Sequence, residues 1–159
     1  MADTKASPVV KVVCRNKRAH IHYEIAERFE AGIALVGSEV KSLRTGHADL
    51  VDAYARIERG ELLLVGANIP VYQNAGSFGH SPRRTRKLLV HKAQIRKLQG
   101  KLTERGFTLV PLSIYWKGAH AKIELGLGKG KRHEDRRAAL DKKDSDRELR
   151  ELRKVSRKR

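Results

Sequence analysis

The sequence contains very little of what several classes of protein depend on. Among its 159 residues there is one cysteine, Cys14, so no intramolecular disulfide can form and a reducing compartment is expected. No apolar run approaches the roughly 20 residues that span a bilayer, and Asp3 and Lys5 lie where the apolar h-region of a secretory signal would have to begin. We therefore expect a cytoplasmic protein that contacts no membrane.

Acidic residues are scarce beside basic ones. The chain has 18 aspartates and glutamates against 35 lysines and arginines, a formal net charge of +17. This charge favours a polyanionic partner, because each phosphate that a basic side chain neutralises releases condensed counterions. Aromatic residues make up only 5 % of the chain, so we expect recognition of a nucleic acid to depend on shape and phosphates more than on base stacking.

The chain also lacks the residue patterns of common active sites. His20 and His22 have no nearby cysteine or carboxylate pair to complete a tetrahedral metal site, and there is no nucleophile-elbow pattern. Glu30, Glu39 and Glu61 form a carboxylate pair only if the fold brings two of them together. We therefore predict that the protein is not an enzyme and uses no metal or cofactor.

The central stretch, residues 29–46, predicts a strand followed by a helix. Gly32 suggests a turn before a short apolar strand over residues 33–36. Ser38 is a good helix N-cap, and Gly46 is a common residue just past a helix C-terminus. Helical spacing directs Val40 and Leu43 toward the core and leaves three polar residues pointing elsewhere, namely Lys41, Ser42 and Arg44.

The rest of the body shows short strands and one further helix. Glycine at position 60 predicts a hairpin between residues 53–57 and 62–65, and Ile95, Leu98 and Leu102 have helical spacing. The other predicted strands cover residues 9–14, 21–25, 88–90, 108–116 and 119–127. This pattern predicts a mainly β fold with flanking helices, a small OB-like barrel. We divide the chain into a leader with the first strand (1–14), the RNA-binding barrel (15–128) and a basic tail (129–159).

A run of eight bases without an acid occupies residues 83–101. Both signs of charge are normally mixed on a surface that serves only solubility. We therefore predict that this run contacts phosphates, with Arg86 and Lys87 among the contacting residues.

The tail is a different kind of sequence. From Lys129 onward there are 14 bases and 7 acids and few large apolar residues, so the tail cannot bury a core. We expect it to be disordered alone and helical on a partner, with a capping-box pattern at residues 145–148. The glycine-lysine run at residues 126–131 has the wrong spacing for a P-loop, and we interpret it as a flexible hinge.

Five blocks, in unbroken order over about residues 15–137, resemble the SsrA-binding protein family (small protein B), the bacterial partner of transfer-messenger RNA in ribosome rescue. They are EAGIALVGSEVKSLRTG, YARIERGELLL, RTRKLLVHK, TLVPLSIYWK and GKGKRHEDRR. The resemblance implies the same OB-like architecture. It implies transfer-messenger RNA and small-subunit rRNA at the decoding centre as partners, with elongation factor Tu joining through the RNA. We expect a monomer.

The resemblance also implies which residues bind RNA. The tRNA-like part of transfer-messenger RNA is expected on Asn16, Lys17, Arg18, Glu30, Lys41, Ser42, Arg44, Leu89 and His91. Glu30 suits this role as an acceptor for base amino groups. In the tail, Lys129, Lys131, Arg132, His133, Asp135, Arg136 and Arg137 are expected to contact the ribosome. This chain departs from many relatives by placing Glu134 directly before the aspartate, with His133 one position earlier.

The function implied is an adaptor that delivers transfer-messenger RNA to stalled ribosomes, while the tail occupies the decoding centre and the empty mRNA channel. Two alternatives remain open on the sequence alone. A structural rRNA-binding ribosomal protein has a similar charge, and it stays on the subunits at high salt. An RNA hydrolase needs an arranged catalytic base or a metal pair.

Overall fold

A computed structural model describes residues 9–104 and 106–156, without the side chains at positions 75, 77, 78, 133, 155 and 156. The predicted leader over residues 1–8 lies outside these described residues. The strands are β1 (Val10–Arg15), β2 (Tyr23–Ile33), β3 (Tyr54–Glu58), β4 (Glu61–Val65), β5 (Arg86–Leu89), β6 (Phe107–Lys117) and β7 (His120–Gly130). The helices are α1 (Ala19–His22), α2 (Gly37–Arg44), α3 (Lys92–Leu102), α4 (His133–Ser156) and a 3-10 helix (Gln73–Phe78).

The described strands form one antiparallel sheet that closes on itself. The strand order is β1-β6-β3-β4-β5-β2-β7, and β7 also pairs with β6, which completes the barrel. The predicted mainly β barrel with flanking helices is therefore confirmed. The observed limits differ at both ends from those predicted. β1 pairs with β6, so the barrel begins before residue 15, its predicted start. β7 extends to Gly130, two residues past residue 128, the predicted end of the barrel.

Alternation along the strands fills the barrel with aliphatic side chains. Leu62 and Leu64 on β4, Leu109 on β6 and Ile123 and Leu125 on β7 are completely buried. The β3–β4 hairpin turns at Arg59 and Gly60, whose φ angles of 50° and 74° match the left-handed turn that two-residue hairpin loops favour. The hairpin prediction is confirmed, and so is the helix that buries Ile95 and Leu98.

Three local predictions in the first half of the chain were wrong. The strand predicted over residues 33–36 does not form, since β2 ends at Ile33 and residues 34–36 belong to no strand. Ile21 lies in the short helix α1, and the strand begins only at Tyr23. Gly32 makes no turn, because β2 continues through it and pairs with β5 on one side and β7 on the other. A Cβ atom at Gly32 would lie 3.2 Å from Leu89 Cβ, so the glycine serves a close approach of two strands.

The glycine-lysine run is a strand and not the predicted hinge. Gly126 pairs with Arg28, and Gly128 pairs with Ile25, so both glycines lie inside the β2–β7 ladder. Their missing side chains leave room for Ile25, whose methyl groups would come within 3.0 to 3.1 Å of a Cβ at either position. These glycines are therefore packing residues.

The segment after the barrel is a 24-residue helix, α4. The described side chains of α4 are nearly all exposed, so the helix buries almost no apolar surface against the barrel. The structure thus shows the helical form of the predicted tail; that this form requires a partner stays a prediction. Among the helices that the structure describes, none has the length and hydropathy of a membrane-crossing segment.

Candidate RNA-binding surface

A row of paired residues crosses the outside of the barrel. Gly32 on β2 lies opposite Leu89 on β5 and opposite Lys122 on β7, and Lys122 in turn lies opposite Tyr115 on β6. Directly paired residues project from the same face of a sheet. The row faces solvent, because the residues adjacent in sequence, among them Ile123, are buried in the core.

Glu30 lies on the same outer face, two residues before Gly32. Its carboxylate accepts a hydrogen bond from the Tyr115 hydroxyl and lies 3.4 Å from the ammonium group of Lys117. The Tyr115 hydrogen bond, together with the nearby charges of Lys117 and Lys122, lowers the pKa of Glu30 despite some burial. The residue is therefore an ionised acceptor held in one place.

Further charges surround this carboxylate. The side chains of Arg28 and Glu124 approach to 3.6 Å, and Arg15 lies opposite Ser113 at the β1 edge. We call this outer face the Glu30 surface; it consists of Arg15, Arg28, Glu30, Leu89, Tyr115, Lys117, Lys122 and Glu124. Its four cations suit phosphates, and a fixed carboxylate suits an exocyclic amino group of a base.

Sequence reasoning found Glu30 and Leu89 but missed their neighbours on this surface. Tyr115, Lys117 and Lys122 carry no motif of their own. The signal that predicts them is strand alternation, since Tyr115 and Lys117 flank buried Trp116, and Lys122 precedes buried Ile123. The structure adds the register that brings them to Glu30.

Six of the predicted RNA-binding residues are exposed and available to a partner: Lys17, Arg18, Lys41, Arg44, Leu89 and His91. Arg44 places its guanidinium 4.6 Å from the centre of the Trp116 ring, and Lys41 places its ammonium 5.8 Å from the centre of the Tyr72 ring. Both basic side chains thus lie on the outer side of α2 and above aromatic rings.

Two of the predicted RNA contacts, Asn16 and Ser42, are buried, which contradicts their predicted exposure to RNA. The Asn16 side chain is 6 % exposed and donates to the carbonyl groups of Leu50 and Pro111, which fixes the loop that presents Lys17 and Arg18. The Ser42 hydroxyl donates to the Pro70 carbonyl at 2.6 Å. Their polar groups are engaged within the protein, so they act as positioning residues.

Arg86, which was predicted to contact phosphate, is completely buried beside Glu39. Its Nε atom donates to Glu39 Oε1 at 2.8 Å, and its Nη atoms donate to the carbonyl groups of Ala67 and Pro82. Arg84 also donates twice to Glu39. A guanidinium with these partners and no exposed surface is a fold element and cannot contact a phosphate.

Glu39 is the centre of this buried cluster. Burial raises the pKa of its carboxyl, but hydrogen bonds from Arg84 and from the Val36 N–H, with the charge of Arg86, outweigh burial and keep the pKa below its ordinary value. Because Glu39 accepts from the Val36 N–H, it caps α2, which begins at Gly37. The predicted cap, Ser38, instead bonds to the ring of His80.

Five of the eight bases in residues 83–101 form ion pairs with acidic residues from other parts of the chain. Arg84 and Arg86 pair with Glu39, Lys87 pairs with Glu61, and Lys97 and Lys101 pair with Glu27. Arg83, Lys92 and Arg96 are exposed and have no ion pair among the described residues. The phosphate-contact prediction therefore keeps these three, together with Lys87 and Lys97, whose side chains are at least half exposed despite their ion pairs.

The base of the tail is held against α1. The Lys131 N–H donates to the His22 carbonyl at 2.8 Å, and its ammonium donates to the His20 carbonyl at 2.7 Å. Lys129 is not in the tail, because it lies in β7 with its ammonium 4.5 Å from the Phe107 ring. Arg132, Asp135, Arg136 and Arg137 are exposed at the start of α4, whereas the side chain of His133 lies outside the described part.

The carboxylates singled out in the sequence lie apart from one another. Glu30, Glu39 and Glu61 each engage different basic or hydroxyl partners and form no pair with one another in the described structure. Within residues 9–104 and 106–156, no cluster of three metal-binding side chains was found. Burial raises the pKa of the Cys14 thiol to about 11, so it remains protonated.

Comparisons with known proteins show the family to which the chain is similar. Residues 13–155 match the family model described as SmpB protein. The chain is 51 % identical over 139 residues to the SsrA-binding protein of Carboxydothermus hydrogenoformans, covering 87 % of this chain and 93 % of the relative. It is 47 % identical over 156 residues to that of Syntrophobacter fumaroxidans, covering 97 % of both.

A solved structure is similar as well. It is described as "tmRNA-SmpB: a journey to the center of the bacterial ribosome", and the matching chain is 47 % identical with a TM-score of 0.65. The match covers 80 % of this chain and 93 % of that one.

Proposed function

Because this chain belongs to the SmpB family of SsrA-binding proteins, we propose that it is an RNA-binding adaptor in trans-translation. It binds transfer-messenger RNA through the tRNA-like domain and delivers that RNA to stalled ribosomes. The observation that carries the proposal is the family match over residues 13–155, which spans both the barrel and most of α4.

The Glu30 surface supports the RNA-binding part of the proposal. Its four cations supply phosphate contacts, and Glu30 supplies one fixed acceptor in a molecule of net charge +17. Lys17, Arg18, Lys41, Arg44 and His91 extend the exposed polar area beyond it. Lys122 belongs with them, because its pairing with Gly32 places it between Leu89 and Tyr115.

The tail supports the ribosome-binding part. A helix of 24 residues is about 36 Å long, and it carries exposed bases from its first turn onward. We propose that α4 occupies the decoding centre and the empty mRNA channel, where it stands in for the missing codon–anticodon pairing. Arg132, Arg136 and Arg137 are then placed near rRNA phosphates.

We also propose an oligomeric state, a compartment and a further partner. The protein acts as a monomer in the cytoplasm, and elongation factor Tu joins the delivery complex through the RNA. It carries out no chemistry itself, since peptidyl transfer belongs to the ribosome.

Recovery of bound RNA tests the proposal. The tagged full chain is purified from bacterial cells under conditions that keep complexes intact, and the co-purifying RNA is sequenced. We expect transfer-messenger RNA to be enriched far above tRNA and above its share of total RNA. Equal recovery of rRNA with no such enrichment, and persistence on subunits in high salt, would instead identify a structural ribosomal protein.

A further inference from the structure

A second feature lies between α2 and the segment that follows β4. It is a cleft of 390 Å³ lined by Ser42, Thr45, His47, Pro70, Val71, Tyr72, Gln73 and Asn74. This volume falls in the range of roughly 300–1,000 Å³ that is typical of small-molecule sites. No carboxylate lines it, and its outer rim carries amide, hydroxyl and imidazole groups.

The cleft is preformed by contacts that tie its two walls together. The Ser42 hydroxyl donates to the Pro70 carbonyl at 2.6 Å. The His80 ring bridges Ser38 Oγ on α2 and the Ile69 carbonyl, at 2.9 Å and 2.8 Å. The wall that carries Tyr72 is thus held on α2 without any ligand.

Tyr72 provides the aromatic wall. Its ring lines the cleft, and the Lys41 ammonium is 5.8 Å from the ring centre. An aromatic ring beside a cation is the combination that holds an unstacked nucleotide, since the ring stacks on the base and the cation attracts the phosphate.

His47 supplies a polar group with a defined direction. The Thr45 hydroxyl donates its hydrogen to the Ser42 carbonyl at 2.6 Å, so its 3.2 Å contact with His47 Nδ1 requires Nδ1 to be the donor. In the neutral ring Nε2 is then an acceptor. With the amides of Gln73 and Asn74, the cleft offers both donors and acceptors to the edge of a base.

Helix α2 carries a second exposed cation near the Glu30 surface. Arg44, three residues after Lys41, shares a depression with Val12 and Trp116. Val12 also lines the depression that contains Glu30 and Tyr115. The side chains of Lys41 and Arg44 are both exposed.

From this arrangement we infer that the Tyr72 cleft binds one unstacked RNA nucleotide, with its base on the Tyr72 ring and its phosphate near Lys41. The inference rests on the proposed function for the identity of the RNA. The nucleotide belongs either to transfer-messenger RNA or to rRNA, which present the same chemistry, and the test separates these two sources.

The test uses the full chain in two arms, with transfer-messenger RNA alone and with ribosomes plus that RNA. Short-wavelength ultraviolet light crosslinks stacked bases to aromatic side chains, and trypsin releases residues 60–83, a peptide in which Tyr72 is the sole tyrosine. We expect this peptide to carry an RNA adduct on an unpaired nucleotide, in both arms if the nucleotide belongs to transfer-messenger RNA and only in the ribosome arm if it belongs to rRNA.

Three variants separate stacking from packing. In the arm that shows the adduct, Tyr72→Phe keeps the ring and should stay within about twofold of wild type, whereas Tyr72→Ala should weaken binding about tenfold. Tyr72→Leu keeps most of the apolar volume, so its melting temperature should be higher than that of Tyr72→Ala. Its RNA affinity should be as low as that of Tyr72→Ala, because it has no ring on which a base can stack.

Two results would overturn the inference: no adduct on residues 60–83 in either arm, or wild-type affinity of Tyr72→Leu in both. If the wild-type chain fails to bind transfer-messenger RNA at all, the proposed function fails, while the ribosome arm still decides whether the cleft holds a nucleotide.

Discussion

Tyr115 donates a hydrogen bond across strand β7 to the carboxylate of Glu30, so the acidic residue on this basic surface is held by its own protein. An ionised carboxylate has about four acceptor positions, and Tyr115 and Lys117 use two of them. Glu30 can therefore be held by the barrel and still accept from a base.

Glu30→Ala should leave the melting temperature nearly unchanged and reduce RNA affinity several-fold. The fold loses little, because the pair is solvent-exposed and such pairs contribute ~0–1 kcal/mol. Binding titrations with the tRNA-like RNA and thermal melts measure the two effects. Tyr115→Phe is the control, since it removes the donor and keeps the acceptor, and we expect a smaller loss of affinity. Equal losses for both variants and for the double variant would show that Glu30 acts only by placing Tyr115.

Glu39→Gln should destabilise the protein by about 3–5 kcal/mol, because it leaves the buried Arg86 guanidinium without its counter-charge. The matched control is Glu61→Gln, whose pair with Lys87 is half exposed and should be worth ~0–1 kcal/mol. Urea unfolding of both variants at neutral pH makes the comparison. Similar midpoints for the two variants would contradict the structural role given to Glu39.

The same carboxyl predicts how stability depends on pH. The folded pKa of Glu39 lies below its ordinary value of 4.5, so its contribution is fully present above pH 4.5 and is lost as the pH falls through the lower folded pKa. The difference in unfolding free energy between wild type and Glu39→Gln should therefore shrink as the pH falls below 4.5. A difference that grows on acidification would have the wrong sign.

Gly128→Ala should destabilise the barrel by about 1–3 kcal/mol, the usual cost of overpacking. A Cβ there would lie 3.2 Å from the Glu24 carbonyl oxygen and from Tyr23 Cβ, and backbone cannot easily move away. Gly130→Ala is the control, since nothing lies within 4 Å of the added carbon. Denaturant midpoints decide the matter. A harmless Gly128→Ala would support the flexible hinge that the sequence suggested.

Local patterns predicted the parts of the fold whose causes are local. The β3–β4 hairpin follows from Gly60 at the turn, and α3 follows from the spacing of Ile95 and Leu98. Gly32 was wrongly predicted to form a turn. Its partners in the sheet, Leu89 and Lys122, are distant in the chain, so the sequence around Gly32 does not indicate that it lies inside a strand.

The functional residues show the same division. Glu30 and Leu89, which the family resemblance predicted to bind RNA, lie on the outer face of the barrel, whereas Arg86 was assigned to RNA because residues 83–101 contain no acid. Glu39 lies 47 positions before Arg86, and a charge count within one segment cannot include it. Burial and long-range ion pairing decide which lysine and arginine side chains can contact phosphate. Local sequence patterns report neither of these.

Proline at Ala139 or Leu149 should leave RNA binding by the barrel intact and block transfer of the nascent chain onto the rescue RNA. Proline in a helix interior costs ~3 kcal/mol or more, and α4 has little tertiary contact to offset it. Leu149→Ala is the control, because it shortens the side chain and keeps the helix. Filter binding and a tagging assay on stalled ribosomes give the two readouts; normal tagging by the proline variants would contradict a helical requirement.

Amide hydrogen exchange gives an independent check on the free protein. The structure describes one i,i+4 ion pair in α4, Arg147 with Glu151, and such pairs add only tenths of a kcal/mol. We therefore expect weak protection across residues 135–155 without ribosomes and strong protection with them. Strong protection in the free protein would show that folding of the tail is not coupled to ribosome binding.

The most direct test of the whole account is a chain that ends at Gly130, which keeps β7 complete and removes the tail. Its affinity for the tRNA-like RNA should stay within about tenfold of wild type, roughly 1.4 kcal/mol, because the Glu30 surface is intact. Its tagging of stalled nascent chains should be abolished. Loss of RNA binding by this chain, or tagging at the wild-type rate, would contradict the division of labour between barrel and tail.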